Sequence, residues 1–232
     1  MKSPNLEALA KVIPHLNRVG IPYAFLGGSI VELLITESPV PSIRPTKDVD
    51  AIIVATTYAK FAALEEQLRA EGFKHDHSEG APICRWIIEG VKVDLMPSEE
   101  TILGMKSRWF REAVETAIAI PMEGALVAKV IAAPYFLATK IEAFRDRGKG
   151  DFIMSTDLED IVAVVNGRPE LADEIAQVAP DLRDYLITAV KEFLSNPDFN
   201  EALSGHLPPD QSNQKRSIIL TQRLQAIARC SC

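Results

Sequence analysis

The sequence has few cysteines, no long apolar run and no excess of positive charge. Its three cysteines are an odd number, and Cys230 and Cys232 lie at the C-terminal end, so no disulfide framework is predicted. No stretch approaches the about 18 consecutive apolar residues of a membrane-spanning helix. The first residues also lack the continuous apolar segment of a signal peptide. We therefore expect a cytoplasmic protein without a membrane partner.

The composition is that of a globular protein. Of the 232 residues, 47% are hydrophobic and 25% are charged, a balance that favours a folded chain with a full core. The net charge of −7 would repel a polyanion at long range, so any site for one has to gather positive residues locally.

Two lobes are predicted from the distribution of helical and strand patterns. Short β-type runs mark strands at Tyr23–Leu26, 48–55, 83–88 and 91–95, the last two joined by the turn signal Glu89-Gly90. From Pro134 onward the pattern is helical. We expect an α/β fold in which a small mixed sheet flanked by helices (1–132) precedes a mainly helical lobe (133–232). The predicted helices cover 5–19, 30–35, 58–71, 135–145, 158–165, 171–178, 182–194 and 217–228, 207–215 is predicted as a loop, and 114–120 with 125–131 are either a strand pair or a helix end and a strand.

Two acidic residues open the strand over 48–55. In a strand, residues two apart point to the same face, so the carboxylates of Asp48 and Asp50 project together. A protein tolerates two like charges at that distance when a cation lies between them, and hard oxygen ligands suit Mg²⁺. Asp94 is the natural third ligand, provided that its apolar strand is adjacent.

A glycine-rich turn precedes this strand. Gly27, Gly28 and Ser29 follow the strand Tyr23–Leu26 and open a predicted helix. The free backbone N–H groups and the positive dipole end of a helix attract an anion such as a triphosphate, and glycines allow its close approach. Ser29 has a second interpretation as the helix N-cap, which is compatible with phosphate binding. Lys47, beside the acidic strand, is a further candidate phosphate contact.

The order of these motifs resembles a known superfamily. Leu26-Gly27-Gly28-Ser29, then Thr46-Lys47-Asp48-Val49-Asp50, then Val93-Asp94-Leu95 is similar to the DNA polymerase β type nucleotidyltransferases. The segment 135–144 and the sequence Asp157-Leu158-Glu159-Asp160-Ile161 resemble the AbiEii-type branch, which includes toxins of toxin–antitoxin systems. The resemblance covers roughly residues 20 to 168.

The resemblance implies a reaction and a set of roles. The enzyme would transfer a nucleoside monophosphate from an NTP to an acceptor hydroxyl, with two Mg²⁺ ions, or Mn²⁺, held by Asp48, Asp50 and Asp94. Lys140 would reach the triphosphate, and Asp157 or Asp160 would line the site nearby. The acceptor would be a tRNA 3′ end, a protein or a small molecule, and a cognate antitoxin is a possible partner.

Structural interpretations remain open beside the functional ones. Lys140 could extend to solvent from an apolar helix. Thr156 and Glu159 have the spacing of a capping box, which would place Asp157 in a helix first turn for dipole reasons alone. Two rival functions also stand: an antibiotic-modifying nucleotidyltransferase, and a non-catalytic nucleotide-binding module.

Overall fold

The structure of the protein is a computed structural model. It describes residues 3–37, 43–104, 107–148, 150–207 and 211–230. Within these ranges no helix is long and apolar enough to cross a membrane. Of the C-terminal cysteines, Cys230 is a free thiol, whereas Cys232 lies outside the described residues.

The chain divides into two compact units. The first comprises Met1–Ile30 and Arg44–Ala132, and the second comprises Val31–Ile43 and Ala133–Cys232. The predicted boundary between residues 132 and 133 lies at one of the positions where the chain passes between units. The segment Val31–Ile43 was expected in the first lobe and belongs instead to the second unit.

The first unit contains a seven-stranded mixed sheet in the order β3-β4-β5-β2-β1-β7-β6. With its helices it confirms the predicted α/β class. The short strand β3 and its position at the sheet edge were not predicted. The strands are β1 (Tyr23–Leu26), β2 (Val49–Ile53), β3 (Lys74–His75), β4 (Arg85–Ile88), β5 (Val91–Pro97), β6 (Ile118–Pro121) and β7 (Val127–Val130).

The central strands are β1, β2 and β5. Strand β2 runs antiparallel to β1 and parallel to β5. Its side chains Val49, Ala51, Ile52 and Ile53 are fully buried, because both faces of a central strand are covered and β-branched residues pack well on a pleated surface. Asp50 is therefore a charged residue in an otherwise apolar strand.

Helix α1 (Pro4–Val19) packs on β2, β5 and β7. Pro14 lies inside it and removes one helical hydrogen bond, at a cost of about 3 kcal/mol. The helix persists because Leu9, Val12, Ile13 and Leu16 are fully buried, and each such side chain contributes about 1.5–3 kcal/mol. The other helices of this unit are α3 (Tyr58–Ala70), α4 (Glu100–Leu103) and α5 (Phe110–Glu115).

The predicted hairpin is confirmed in β4 and β5. Glu89 and Gly90 both have positive φ, 46° and 76°, as a two-residue type I′ turn requires. This turn fixes Ile88 opposite Val91 and every following pair back to Arg85 opposite Asp94. The other predicted strand pair also forms, as β6 and β7. The segment 114–120 was predicted as either a strand or a helix end, and it is partly both, since α5 ends at Glu115 and β6 begins at Ile118.

The second unit is helical, as predicted. One of its described helices, α10 (Pro197–Ala202), was not expected. It begins after the N-cap Asn196, whose side chain accepts the N–H of Asp198 at 2.9 Å. The last helix starts at Gln211, so part of the predicted 207–215 loop is helical; 208–210 lie outside the described residues. The helices are α2 (Val31–Leu34), α6 (Ala133–Arg147), α7 (Thr156–Gly167), α8 (Leu171–Gln177), α9 (Pro180–Ser195), α10 (Pro197–Ala202) and α11 (Gln211–Ala228).

Two arginines of α11 bind the C-terminal end of α7. Arg216 donates to the Asn166 carbonyl at 2.8 Å and to Glu37 at 2.9 Å, and Arg223 donates to Glu37 at 2.7 Å. These hydrogen bonds lower the pKa of Glu37 from 4.5 to about 2. Arg216 thus pairs with a carbonyl at the C-terminal end of α7, where carbonyls lack helical N–H partners.

Candidate active site

Three carboxylates converge on neighbouring strands of the first unit. Asp50 in β2 and Asp94 in β5 are direct partners in a parallel pair, so both side chains project from the same face of the sheet. Asp48 comes two residues before Asp50 and directly precedes β2, which begins at Val49. The expectation that the strand of Asp94 adjoins that of Asp50 is confirmed.

Gly27 makes room for one of these acids. It directly follows β1 with φ of 73°, and a Cβ placed there would lie 2.0 Å from the Asp50 Oδ2 atom. Any other residue would be strained in backbone and would displace the carboxylate. The sequence predicted this glycine for approach of a phosphate; the neighbour that the structure shows is Asp50.

Ser29 lies in a 3₁₀ turn, Gly28–Ile30, rather than directly before an α-helix over 30–35 as predicted. The α-helix that follows is only four residues, Val31–Leu34. The Ser29 side chain is fully buried, and its Oγ donates to the Leu26 carbonyl at 3.5 Å. A helix this short offers little dipole, so the phosphate role of the turn depends on its N–H groups.

A buried asparagine holds the segment in front of β2. Asn5 of α1 donates to the Arg44 carbonyl at 3.0 Å and accepts the Thr46 N–H at 2.8 Å. Thr46 Oγ1 in turn donates to the Asp48 carbonyl at 2.9 Å. The sequence reasoning missed Asn5, although it lies one turn before Leu9 on the apolar stripe, where a buried polar residue requires partners.

Arg85 is a second residue at this site that sequence reasoning missed. Its guanidinium donates two hydrogen bonds of 2.7 Å to Asp94, one to each carboxylate oxygen, and one of 2.6 Å to Asp48. These bonds, chiefly those to Asp94, raise the pKa of Arg85 above its ordinary value. A bidentate guanidinium–carboxylate pair is among the stronger polar contacts in proteins.

Cys84, the residue before Arg85, is a buried thiol near the acids of the site. Burial and the nearby Asp94 carboxylate raise the pKa of this thiol to about 12. The thiol is therefore neutral at physiological pH and is not a nucleophile.

A second charged cluster lies in the second unit, between α6 and α7. Lys140 Nζ is 3.0 Å from Asp157 and 2.7 Å from Asp160, and Arg147 donates twice to Asp157 at 2.8 Å. Burial alone would lower the pKa of Lys140, but Asp160 and Asp157 offset this and raise it. Lys140 is buried and does not extend to solvent.

The start of α7 differs from the predicted capping box. The N-cap is Ser155, whose Oγ accepts the Leu158 N–H at 3.3 Å; the prediction of Thr156 in this role was wrong by one residue. Asp157 does lie in the first turn, but its side chain points to the ion pairs and is buried, so helix dipole alone does not account for it.

Comparison with solved structures identifies the fold. An antigenic nucleotidyltransferase-like protein from Paracoccidioides brasiliensis aligns with 87% of this chain and 92% of its own, at a TM-score of 0.50 and 20% identity. The chain has a nucleotidyltransferase-like fold. The protein JHP933 from Helicobacter pylori aligns with 96% of this chain and 90% of its own, at a TM-score of 0.48 and 12% identity. The sequence matches no protein-family model and no curated protein.

In chemistry, the three acids are of the type that binds a divalent cation. Carboxylate oxygens on adjacent strands are the hard ligands that Mg²⁺ takes. As they stand, however, the described side chains include no group of three or more His, Cys, Asp or Glu arranged to hold a metal ion, and Arg85 binds two of the three acids. Lys47, beside Asp48, is exposed.

Proposed function

We propose that this protein is a metal-dependent nucleotidyltransferase that transfers a nucleoside monophosphate from an NTP to an acceptor hydroxyl and releases pyrophosphate. The proposal rests on Asp48, Asp50 and Asp94 meeting on adjacent strands next to Gly27, in a nucleotidyltransferase-like fold. Three acids gathered in one place repel one another, which is costly unless a cation compensates their charge.

The three acids of the first unit would have different roles in the reaction. Asp48 and Asp50 would hold the two Mg²⁺ ions, with Asp94 as the third ligand, and Mn²⁺ could replace Mg²⁺. When bound, the ions stabilise charge on the entering and departing oxygens. Asp94 would help to accept the proton of the acceptor hydroxyl as its oxygen bonds to the α-phosphorus and the bond to the bridging oxygen of pyrophosphate breaks.

Other residues would bind the nucleotide. The N–H groups of Gly27, Gly28 and Ser29 are the candidate phosphate donors in the first unit, and Lys47 is exposed beside the acids. The cluster of Lys140, Asp157 and Asp160 in the second unit is the further candidate, and its roles depend on the resemblance to AbiEii-type enzymes. Under this proposal the acceptor is a tRNA 3′ end or a protein, and the chain is the toxin of a toxin–antitoxin pair in the cytoplasm.

Incubation with each labelled NTP, Mg²⁺ and total tRNA tests the proposal. We expect label in RNA or, in a parallel assay with cell extract, in protein, and pyrophosphate release that EDTA abolishes. Asp50→Asn should lower transfer about a thousandfold, because loss of metal-based charge stabilisation costs several kcal/mol. Asp184→Asn, on an exposed residue of α9, is the matched control and should leave transfer unchanged. Full transfer by Asp50→Asn would refute the assignment.

The non-catalytic alternative has one observation in its favour, the ion pair between Arg85 and two of the acids. A binding module would retain NTP without releasing pyrophosphate. The antibiotic-modifying alternative would move label onto an aminoglycoside and not onto RNA or protein. The same labelled nucleotides therefore separate all three functions.

A further inference from the structure

Arg85 occupies a position that the sheet fixes closely. Its Cα pairs with that of Asp94 in β5, its N–H donates to the Pro82 carbonyl at 3.0 Å and its carbonyl accepts the Asp76 N–H at 3.1 Å. The backbone therefore has partners on both sides. Only the side chain, which is 16% exposed, has freedom to change its contacts.

The guanidinium already uses the oxygens that a metal ion would need. Both carboxylate oxygens of Asp94 and one of Asp48 accept hydrogen bonds from it. A divalent cation on these oxygens would also be repelled by the positive charge of the guanidinium beside it. A divalent ion on Asp94 and Asp48 is therefore incompatible with the guanidinium in its present place.

Arg85 carries one positive charge and contacts two of the three acids. The four side chains Asp48, Asp50, Asp94 and Arg85 together have a formal charge of −2 (−3 + 1), so negative charge remains among them to attract a divalent cation.

We propose that Arg85 is a tethered counter-cation, which holds Asp48 and Asp94 in the metal-free protein and competes with the divalent ion for them. The inference rests on the proposed function, since it concerns the same metal site. Arg85 then sets how tightly metal binds: the ion must displace the guanidinium from Asp94, and metal affinity is lower than three converged acids would otherwise give.

The direct test is Mn²⁺ binding without nucleotide, followed by the loss of the free-ion signal in electron paramagnetic resonance. We expect Arg85→Gln to bind Mn²⁺ at least about tenfold more tightly than the unaltered protein, because a competing positive charge has been removed from the ligands. The double variant Arg85→Gln with Asp94→Asn should lose this gain. Equal or weaker binding by Arg85→Gln would overturn the inference.

Arg69→Gln is the matched control for net charge. Arg69 pairs with Glu66 at 2.7 Å and with Glu65 at 3.5 Å on helix α3, so the change also removes one positive charge next to two carboxylates in the first unit. We expect its Mn²⁺ affinity to stay within about twofold of the unaltered protein, since exposed pairs are screened. A gain equal to that of Arg85→Gln would mean that general charge, not competition, raises the affinity.

A fold control keeps the test decisive. If Arg85→Gln does not fold without metal, Arg85→Lys replaces it: a lysine keeps the charge but cannot bind both oxygens of Asp94 in parallel, and should bind Mn²⁺ several-fold more tightly than arginine does. Unchanged affinity in folded Arg85→Lys would then overturn the inference.

The outcomes separate the inference from the proposed function. Tighter Mn²⁺ binding by Arg85→Gln, together with no nucleotide transfer by the unaltered protein, would support the inference and refute the function. Nucleotide transfer by the unaltered protein, with no gain in Mn²⁺ affinity on replacing Arg85, would support the function and refute the inference.

Discussion

The two charged clusters of this protein differ in how their charge is balanced. In the first unit, Arg85 binds Asp48 and Asp94, and these three side chains together with Asp50 have a formal charge of −2 (−3 + 1). In the second unit, Asp157 and Asp160 face Lys140 and Arg147 and the formal charges cancel (−2 + 2 = 0). A cluster that neutralises itself contributes to the fold, whereas one with unmatched charge is available to a ligand. Breaking each cluster should therefore have opposite effects on stability.

The largest effect is expected for the balanced cluster. Lys140→Met would leave Asp160 buried without its closest cation, and removing one member of a buried ion pair costs about 3–5 kcal/mol. Urea unfolding followed by circular dichroism would measure the loss. The double change Lys140→Met with Asp160→Leu should recover part of it, and a loss below about 1 kcal/mol would mean that the pair contributes as little as an exposed one.

Gly27→Ala is expected to have the next largest effect, in the unbalanced cluster. The new Cβ would meet Asp50 Oδ2 at 2.0 Å, at φ of 73°, and an L-residue with left-handed backbone costs about 1–2 kcal/mol before any clash. We expect about 2 kcal/mol of destabilisation and a loss of Mn²⁺ affinity. Gly80→Ala, with φ of 77° and no atom near the new Cβ, is the control: it should show the backbone cost alone and unchanged Mn²⁺ binding.

Asp50→Asn should sharpen the contrast between the two clusters, because it is expected to raise the free energy of unfolding rather than lower it. Replacing one of three crowded acids lowers their mutual repulsion, so we expect the metal-free protein to gain up to about 1 kcal/mol of unfolding free energy. Asp160→Asn, the matched change in the balanced cluster, should lower it. Thermal unfolding in EDTA compares the two, and a loss for both would show that the acids of the first unit are structural as well.

The smallest effect concerns Glu37 and the pH. Its pKa falls from 4.5 in the unfolded chain to about 2 in the folded protein, so its contribution is fully present above pH 4.5 and is lost as pH falls towards 2. We expect Glu37→Gln to cost about 1 kcal/mol at pH 7, since the carboxylate is partly exposed. The difference from the unaltered protein should shrink between pH 4.5 and pH 2 in urea titrations; a constant difference would contradict it.

Much of the acidic site followed from local sequence patterns. The spacing of Asp48 and Asp50 placed both at the head of one predicted strand, and the Glu89-Gly90 turn signal placed Asp94 in the second strand of a hairpin. The pairing of β2 with β5 was an assumption, since strand order depends on contacts between distant segments. Gly27 was singled out for its conformation, but that its neighbour is Asp50 depends on the pairing of β1 with β2.

Other features were not predicted, because a sequence pattern alone does not determine strand register or hydrogen-bond partners. Arg85 was counted as part of a β-type run, although a two-residue turn at Glu89-Gly90 already implies that it lies opposite Asp94. The cap of α7 was assigned to Thr156 because Thr156 and Glu159 have capping-box spacing; both Ser155 and Thr156 can cap a helix, and the backbone conformation decides between them. The start of α11 has no apolar periodicity and therefore carried no helical signal.

The length of the tight turn at Glu89-Gly90 also determines which residues of β4 and β5 lie opposite each other. It fixes Arg85 and Asp94 at nine positions apart along the chain, and adding one residue to the turn would shift the pairing and send Arg85 to the opposite face of the sheet. The contact between Arg85 and Asp94 therefore depends on the length of this turn, and a one-residue insertion there would separate the arginine from the acid.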